Sequence, residues 1–287
     1  MVVITFPLFS SKATLPVVHR HAFKRLFCAV VSLFLLSLLQ ANAGEPFKFI
    51  QFSDIHLGWG KHDSAGCVEL AKKAGELAEK IEFVVVTGDL IDMGFKAPDP
   101  EALRLFHEFA KSFRVPVYCV PGNHDLSMHK KWEFDESEAA RLVLGFQRHI
   151  GQINGVFECK GYRMVLFCEL PLTKWCPHIE GYEPLAWLEK ALSAEPRMPA
   201  MIFMHVPPDH EWLPERLAQW KDIVRRHEVK AVICGHLHAD HLSWEGSMPV
   251  IAAYDCTNKH GDVPSFKVYS VDKDGKISYM THYLRNH

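Results

Sequence analysis

Five polar motifs constrain this 287-residue chain more than any other feature, because each follows a short apolar run. The motifs are Asp54-x-His56, Gly88-Asp89, Gly122-Asn123-His124-Asp125, His205 and Gly235-His236-Leu237-His238. The preceding runs, residues 47–52, 83–86, 115–120, 201–204 and 229–234, have the length and composition of buried strands. Because side chains at the ends of neighbouring strands converge in space, we expect the motifs to form one site.

Amphipathic helical patterns separate these runs, at residues 64–80, 100–112, 136–149, 183–194 and 214–227. The alternation predicts βαβ units with helices covering the sheet and ligands beyond the carboxyl ends of the strands. After Gly235, shorter alternating runs at 242–244, 249–253, 265–271 and 276–284 predict a second, mainly antiparallel sheet. Residues 156–159 and 163–169 predict a further hairpin around Gly161.

The motifs supply enough oxygen and imidazole ligands to hold two divalent cations close together. The seven candidate ligands are Asp54, His56, Asp89, Asn123, His205, His236 and His238. Any one of them alone is common in ordinary turns, so the prediction depends on their joint occurrence at strand ends. Mixed nitrogen and oxygen ligands favour Mn, Fe or Zn and argue against a calcium site. His124 remains available for proton transfer.

The first forty-three residues have the order of a secretory signal. They contain no acidic residue, an apolar run at 26–39, the small-residue segment Ala41-Asn42-Ala43, and four bases: Lys12, Arg20, Lys24 and Arg25. We therefore expect cleavage before Gly44, one mature globular domain over residues 44–287, and a secreted or periplasmic location. The alternative is an uncleaved membrane anchor, but the run is shorter than the roughly 20 residues that span a bilayer.

Removing this segment takes four of the 32 basic residues and none of the 34 acidic ones, which leaves a net charge of −6. No basic stripe remains, so long nucleic acids are not expected as partners, whereas a small phosphate ester is. The sequence does not indicate an oligomeric state.

Seven cysteines remain after cleavage, an odd number, so at least one is unpaired within the chain. Cys119 and Cys234 lie in apolar runs and are expected to be buried. A tight turn at Gly161-Tyr162 would place Met164 opposite Cys159, so no bridge between Cys159 and Cys168 is assigned. A bridge between Cys168 and Cys176 is left open.

The segments Ser53–Leu57, Gly88–Leu90, Pro121–Asp125 and Gly235–His238 resemble the motifs of the calcineurin-like metallophosphoesterases, in particular the class III cyclic nucleotide phosphodiesterase branch. The resemblance covers nearly all of residues 44–287. It implies that Asp54, His56, Asp89 and His238 hold one metal. Asp89 would bridge to a second metal that Asn123, His205 and His236 complete.

The same resemblance implies two catalytic residues, His124 and Asp92, with Asp92 orienting His124. Asp125 is expected to anchor the site rather than to act on substrate. Combined with the pattern of elements, the resemblance implies an α/β fold, a four-layer αββα sandwich of mixed sheets with the two-metal site at the carboxyl ends of the strands.

The expected reaction is hydrolysis of a small phosphodiester, which includes cyclic nucleotides, by a hydroxide held between two metals, while His124 protonates the departing oxygen. One alternative is a phosphomonoesterase or pyrophosphohydrolase of nucleotides, sugars or lipid headgroups. A non-catalytic binding module is disfavoured, because no ligand is missing. Loop residues that could form a substrate rim are Trp59, Lys61, His62, His129, Lys130, Trp175, His178, Tyr182, His210 and Trp212.

Overall fold

The computed structural model describes residues 45–58, 64–77, 80–92, 94–95, 98–126, 136–176, 178–208, 210–257 and 263–284. The proposed signal segment, residues 1–43, lies outside the described residues. No helix in the described part of the chain has the length and apolar character needed to cross a membrane.

Within these residues the strands span Phe47–Phe52 (β1), Phe83–Thr87 (β2), Val117–Val120 (β3), Gly155–Cys159 (β4), Tyr162–Leu166 (β5), Ala200–Phe203 (β6), Val229–Cys234 (β7), His241–Glu245 (β8), Met248–Ala252 (β9), Ser265–Val271 (β10) and Ile277–Tyr283 (β11). The α-helices span Ser64–Leu77 (α1), Pro100–Lys111 (α2), Asn123–Leu126 (α3), Glu136–His149 (α4), Pro184–Ser193 (α5) and Pro214–Arg226 (α6), and a 3₁₀ turn spans Leu170–Leu172.

The strands form two mixed sheets that pack face to face. One sheet has the order β11-β10-β1-β2-β3 and the other has the order β4-β5-β6-β7-β9-β8. β1, β2 and β3 are parallel in the first sheet, and β5, β6, β7 and β9 are parallel in the second. Helices cover the outer faces, so the predicted αββα sandwich is confirmed.

Aromatic side chains fill the space between the sheets. The Phe49 ring stacks on Phe83 at 4.9 Å and on Tyr269 at 4.6 Å, and meets Phe203 of the other sheet edge-on at 5.7 Å. Phe52 points to the opposite face of β1 and packs on Phe109 of α2 at 4.9 Å. Successive side chains of β1 therefore enter two different cores, which is why the strand is apolar on both faces.

The prediction of a separate antiparallel sheet after Gly235 is wrong. β8 and β9 extend the second sheet, where β9 pairs in parallel with β7, while β10 and β11 extend the first sheet, where β10 pairs antiparallel with β1. Both β1 and β7 are buried apolar strands whose backbone groups need a partner on each side. Alternating polarity identifies the later strands, but it does not indicate which edge they join.

The hairpin between β4 and β5 differs in register from the prediction. Cys159 pairs with Tyr162, and Met164 pairs with Phe157. The turn is formed by Lys160 and Gly161, which have φ values of 49° and 82°, and two positive φ values are characteristic of the tight turn that joins two strands. All seven cysteines of the described chain are free thiols, and Cys119 and Cys234 are buried as expected.

Gln51 links the two sheets near the ends of their central strands. Its Nε2 donates to Thr87 Oγ1 at 2.9 Å and to the Cys234 carbonyl of the other sheet at 2.6 Å. Its Oε1 accepts from the Tyr269 hydroxyl at 2.8 Å. Because every polar atom of this buried amide is used, the carboxyl ends of β1, β2 and β7 are held at a fixed separation.

Candidate metal centre

The five motifs directly follow the carboxyl ends of five strands, which are β1, β2 and β3 in one sheet and β6 and β7 in the other. Hydrogen bonds join these ends across the gap. His205 Nδ1 donates to the Thr87 carbonyl at 2.8 Å, and the His236 backbone N–H donates to Asp54 Oδ2 at 3.0 Å. The structure therefore brings the predicted site residues of both sheets together.

Four of the predicted ligands form a compact group, Asp54, His56, Asp89 and His238, whose candidate ligand atoms all lie within 4.8 Å of one another. His56 Nε2 lies 3.7 Å from Asp89 Oδ2 and 3.5 Å from His238 Nε2. His238 Nε2 lies 3.2 Å from Asp54 Oδ1.

The two oxygens of Asp54 show that this group fits a cation. Oδ2 accepts hydrogen bonds from Ser53 Oγ at 2.5 Å and from the His236 N–H at 3.0 Å. Oδ1 is buried, and within the described residues it has no hydrogen bond of good geometry; the imidazole nitrogen beside it is His238 Nε2 at 3.2 Å. A poorly satisfied buried carboxylate oxygen is costly, and a metal ion between it and the neighbouring imidazoles would satisfy it.

Asp89 connects this group to the remaining ligands. Its Oδ2 lies 3.7 Å from His56 Nε2 and 3.3 Å from His205 Nε2, and the same His205 nitrogen lies 3.0 Å from Asn123 Oδ1. The His236 ring lies beside His205, with ring centroids 5.1 Å apart. Asp89 Oδ2 thus has the position required of a ligand that two cations share, and the donor set fits a dinuclear site.

His124 lies at the same centre without being part of either ligand group. Its Nδ1 lies 2.9 Å from Asp92 Oδ1, and its Nε2 lies 3.9 Å from Asp89 Oδ2. Asp92 also contacts His56 Nδ1 at 3.3 Å. Burial works against the charged form of Asp92, but contacts with the two imidazoles outweigh it and lower the pKa of the carboxyl to about 2.

The backbone of the site is strained. Eight non-glycine residues of the described chain have positive φ, and five of them are predicted ligands: Asp54 at 52°, His56 at 40°, Asp89 at 52°, His236 at 69° and His238 at 49°. Such conformations cost about 1–3 kcal/mol each and concentrate at functional sites. Packing and hydrogen bonds around the motifs must therefore offset this cost.

Two glycines let the ligands approach this closely. A Cβ on Gly122 would overlap Asp89 Oδ1, and a Cβ on Gly235 would overlap Ser53 Oγ and crowd Asp54 Oδ2. No side chain fits at either position without moving a ligand carboxylate.

The electrostatics follow from burial and mutual contact. Burial favours neutral Asp54 and Asp89, yet His238 near Asp54 and His205 near Asp89 outweigh it and hold the pKa of each carboxyl below its usual range. Burial also lowers the pKa of the imidazoles, but the carboxylates reverse this and raise the pKa of His205 and of His238 to about 10. Burial and the neighbouring His205 lower the pKa of His236 to about 4.

Asp125 is buried beneath the ligands and holds the backbone around them. Its carboxylate accepts from the N–H groups of Leu90, Ile91 and Gly122 at 2.8–3.2 Å. Burial and then the charge of Asp89 raise the pKa of Asp125 to about 7. Asp125 does not point into the ligand groups, which matches the anchoring position expected of it.

Sequence reasoning missed three carboxylates that contact ligand histidines. Asp255 Oδ2 lies 3.1 Å from His238 Nδ1, and Glu169 accepts from the His205 N–H at 3.2 Å. Glu211 Oε2 lies 3.1 Å from His236 Nε2. Asp255 and Glu169 each follow a strand by three residues, the same signal that identified the ligands, whereas Glu211 lies in a loop that carries no such signal.

The proposed rim residues divide into several groups. The rings of Trp175 and His210 lie 5.8 and 5.5 Å from His236, at the site. Trp212 and Tyr182 donate hydrogen bonds to backbone carbonyls and pack internally, while His178 Nε2 lies 2.9 Å from Glu136 Oε1 at the surface. Five others lie outside the described residues: Trp59, Lys61, His62, His129 and Lys130.

Comparison with known proteins identifies the family of this chain. Residues 47–240 match the model of the family described as calcineurin-like phosphoesterase. The chain is 28% identical over 276 residues to 3',5'-cyclic adenosine monophosphate phosphodiesterase CpdA of Escherichia coli, covering 84% of this chain and 92% of the relative. It is 30% identical over 181 residues to the probable glycerophosphodiester phosphodiesterase GpdQ of Arcobacter nitrofigilis, covering 56% of this chain but only 58% of the relative.

Solved structures share the fold at lower identity. The anchor protein of the inner membrane complex of Plasmodium superposes with a TM-score of 0.56 at 15% identity, covering 84% of this chain and 89% of that one. A purple acid phosphatase from yellow lupin (Lupinus luteus) seeds gives 0.55 at 12% identity, covering 84% and 54% of the two chains.

The family match spans all seven candidate ligands together with Asp92 and His124, and the curated relatives include cyclic nucleotide phosphodiesterases, as the motifs predicted. The chain therefore belongs to the calcineurin-like phosphoesterase family and is a metal-dependent phosphoester hydrolase.

Proposed function

We propose that this chain hydrolyses small phosphodiesters, cyclic nucleotides among them, at a centre that binds two divalent metal ions. The observation that carries the proposal is the position of Asp89 Oδ2, 3.7 Å from His56 Nε2 on one side and 3.3 Å from His205 Nε2 on the other. The names of the relatives from Escherichia coli and Arcobacter nitrofigilis, both phosphodiesterases, support a diester substrate.

In this proposal each cation has its own ligand set. Asp54, His56, Asp89 and His238 would hold the first, and Asn123, His205 and His236 would hold the second together with Asp89, which both would share. Divalent cations in such a pair supply charge that neutralises phosphate oxygens and acidifies water. Mn, Fe and Zn fit the mixture of imidazole nitrogens and hard oxygens.

The remaining chemistry belongs to His124 and Asp92. Asp92 is charged at neutral pH because the pKa of its carboxyl is lowered to about 2. It holds Nδ1 of His124, so Nε2 of the ring faces the ligands. From that position Nε2 donates a proton to the oxygen that leaves phosphorus.

Binding of metal should release protons. In the metal-free protein His205 and His238 carry protons, because the nearby carboxylates raise the pKa of each to about 10. Histidine binds a metal as the neutral imidazole, so at about pH 7.5 the uptake of both ions should release about two protons, and affinity should rise with pH. Calorimetric titration with Mn²⁺ in buffers of different ionisation enthalpy measures the release. Equal heats in all buffers would contradict this expectation.

Substrate preference separates the diester proposal from the monoester alternative. We expect higher kcat/KM for bis(p-nitrophenyl) phosphate than for p-nitrophenyl phosphate with the Mn²⁺-loaded protein. A cyclic nucleotide and a glycerophosphodiester, tested side by side, distinguish the activities named for the two relatives. Preference for the monoester would reject the proposed substrate class, and a metal-loaded protein that hydrolyses neither class would indicate a binding module.

The proton-transfer role of His124 can be separated from metal binding. His124→Ala should retain both ions and lose about 10²–10⁴-fold in kcat on a substrate with an alkoxide leaving group. The loss should be smaller for bis(p-nitrophenyl) phosphate, whose leaving group needs no proton. Asp89→Asn, the comparison variant, should lose metal and therefore lose activity on both substrates. Wild-type turnover by His124→Ala on the alkoxide substrate would exclude His124 as the proton donor.

We also propose that the chain is exported. The basic residues, apolar run and Ala41-Asn42-Ala43 segment at the start of the sequence support a signal cleaved before Gly44. Expression of the full chain should yield an extracytoplasmic protein whose N-terminal residue is Gly44, and Leu35→Arg should block export. A membrane-associated product that still carries residues 1–43 would favour the uncleaved anchor instead.

A further inference from the structure

Glu211 lies beside His236, one of the proposed ligands of the second metal. It belongs to the loop between β6 and α6, and its Oε2 lies 3.1 Å from His236 Nε2. Nothing in the motifs singles out this residue. Its carboxylate nevertheless contacts Nε2 of His236, so Nδ1 is the ring nitrogen that could bind the metal.

The other three ligand histidines are held in the opposite way. Nδ1 of His56 contacts Asp92 at 3.3 Å, Nδ1 of His205 contacts the Thr87 carbonyl at 2.8 Å, and Nδ1 of His238 contacts Asp255 at 3.1 Å. In each of these rings Nε2 is left for a metal. His236 is engaged through Nε2 instead, so its free nitrogen is Nδ1.

A neutral imidazole carries one proton, and the hydrogen bond that one nitrogen makes decides which nitrogen keeps the lone pair. A carboxylate can only accept, so Glu211 requires the proton of His236 on Nε2. The lone pair of His236 is then on Nδ1. Loss of Glu211 would let the ring take either tautomer and rotate.

Glu211 is itself held by several contacts. Its Oε1 accepts from Lys174 Nζ at 2.6 Å, and its Oε2 accepts from Trp175 Nε1 as well as from His236. Both oxygens are therefore occupied by donors. This arrangement suits a group that orients a neighbour, whereas a metal ligand would need an oxygen free of donors.

The backbone fixes Glu211 as firmly as its side chain does. The Lys174 N–H donates to the Glu211 carbonyl at 3.3 Å, Thr173 and Trp212 form a β-bridge, and the Leu213 N–H donates to the Leu172 carbonyl at 2.9 Å. Glu211 has a φ of 62°, which places it with the five strained ligands. Two loops are thus joined to hold one carboxylate against one imidazole.

We propose that Glu211 is a positioning residue that fixes the tautomer and orientation of His236 and thereby acts on the second metal alone. This inference rests on the proposed two-metal function. It gives Asp255 a matching role at the first metal, because the Asp255 carboxylate contacts the opposite ring nitrogen, Nδ1 of His238, at 3.1 Å and is itself held by the Thr257 hydroxyl at 3.1 Å.

The experiment compares metal affinities of the two positions in purified, demetallated protein titrated with Mn²⁺. Glu211→Ala should keep one ion at wild-type affinity and bind the second about 10–100-fold more weakly. Glu211→Gln should lose less, because an amide oxygen still accepts from Nε2. Asp255→Asn should weaken the first ion by about as much as Glu211→Gln weakens the second, and it should spare the second ion. Glu245→Ala is the control, since Glu245 also binds two basic side chains, Lys221 and Arg225, but at the end of β8 that is farther from the Gly235–His238 motif.

A second measurement does not depend on metal or on turnover. Nitrogen chemical shifts of the His236 ring should show the proton on Nε2 in the wild type and a mixture of tautomers in Glu211→Ala. This readout also remains informative if Asp255→Asn does not fold.

Several results would overturn the proposal. These are an unchanged affinity for the second ion in Glu211→Ala, an equal loss of affinity for both ions, or a proton on Nδ1 of His236 in the wild type.

Binding of three ions per chain, with the third lost in both Glu211→Ala and His210→Ala, would instead make His210, Glu211 and His236 a metal site. Their candidate ligand atoms lie within 4.8 Å of one another. If the wild type binds two ions with these affinities but hydrolyses no phosphoester, the proposed function fails and the role of Glu211 stands.

Discussion

The burial of two carboxylates is the constraint on which the rest of the structure depends. Asp54 and Asp89 are shielded from water at the junction of two sheets, where an unpaired charge is strongly unfavourable. Imidazoles from both sheets, backbone N–H groups and the proposed cations together offset that penalty. The strained backbone of the motifs and the cross-sheet hydrogen bond of Gln51 are explained by the same requirement, because the compensating groups must stay within a few ångströms of both acids.

Most of the fold could be predicted from the sequence because its central strands are short and apolar on both faces. β1 and β7 begin and end at the predicted residues, and β10 does so as well. Strand pairing could not be predicted, because alternation of apolar and polar residues indicates which face of a strand is buried. It does not indicate which sheet edge the strand joins. The alternation therefore predicts a separate sheet for the C-terminal strands, whereas in the structure they complete both existing sheets.

The candidate site shows the same division. Ligands that follow parallel strands carry a clear signal, and Asp255 and Glu169 could have been found by extending the same rule to β9 and β5. Glu211 could not, because its place beside His236 results from a bridge between two loops, at Thr173 and Trp212, that no local pattern encodes. Site residues that are positioned by strand ends can be predicted from a sequence, whereas site residues that are positioned by contacts between loops can be found only in a structure.

Gly122 and Gly235 limit how this scaffold can be redesigned. The volume that a methyl group would take beside each is already filled by a polar atom of Ser53, Asp54 or Asp89. Laboratory evolution of a new substrate range therefore has little freedom in the metal-binding motifs themselves. Variation is tolerated better at His210, which lies beside His236 without holding Glu211, whereas Trp175 donates to Glu211 and is constrained together with it.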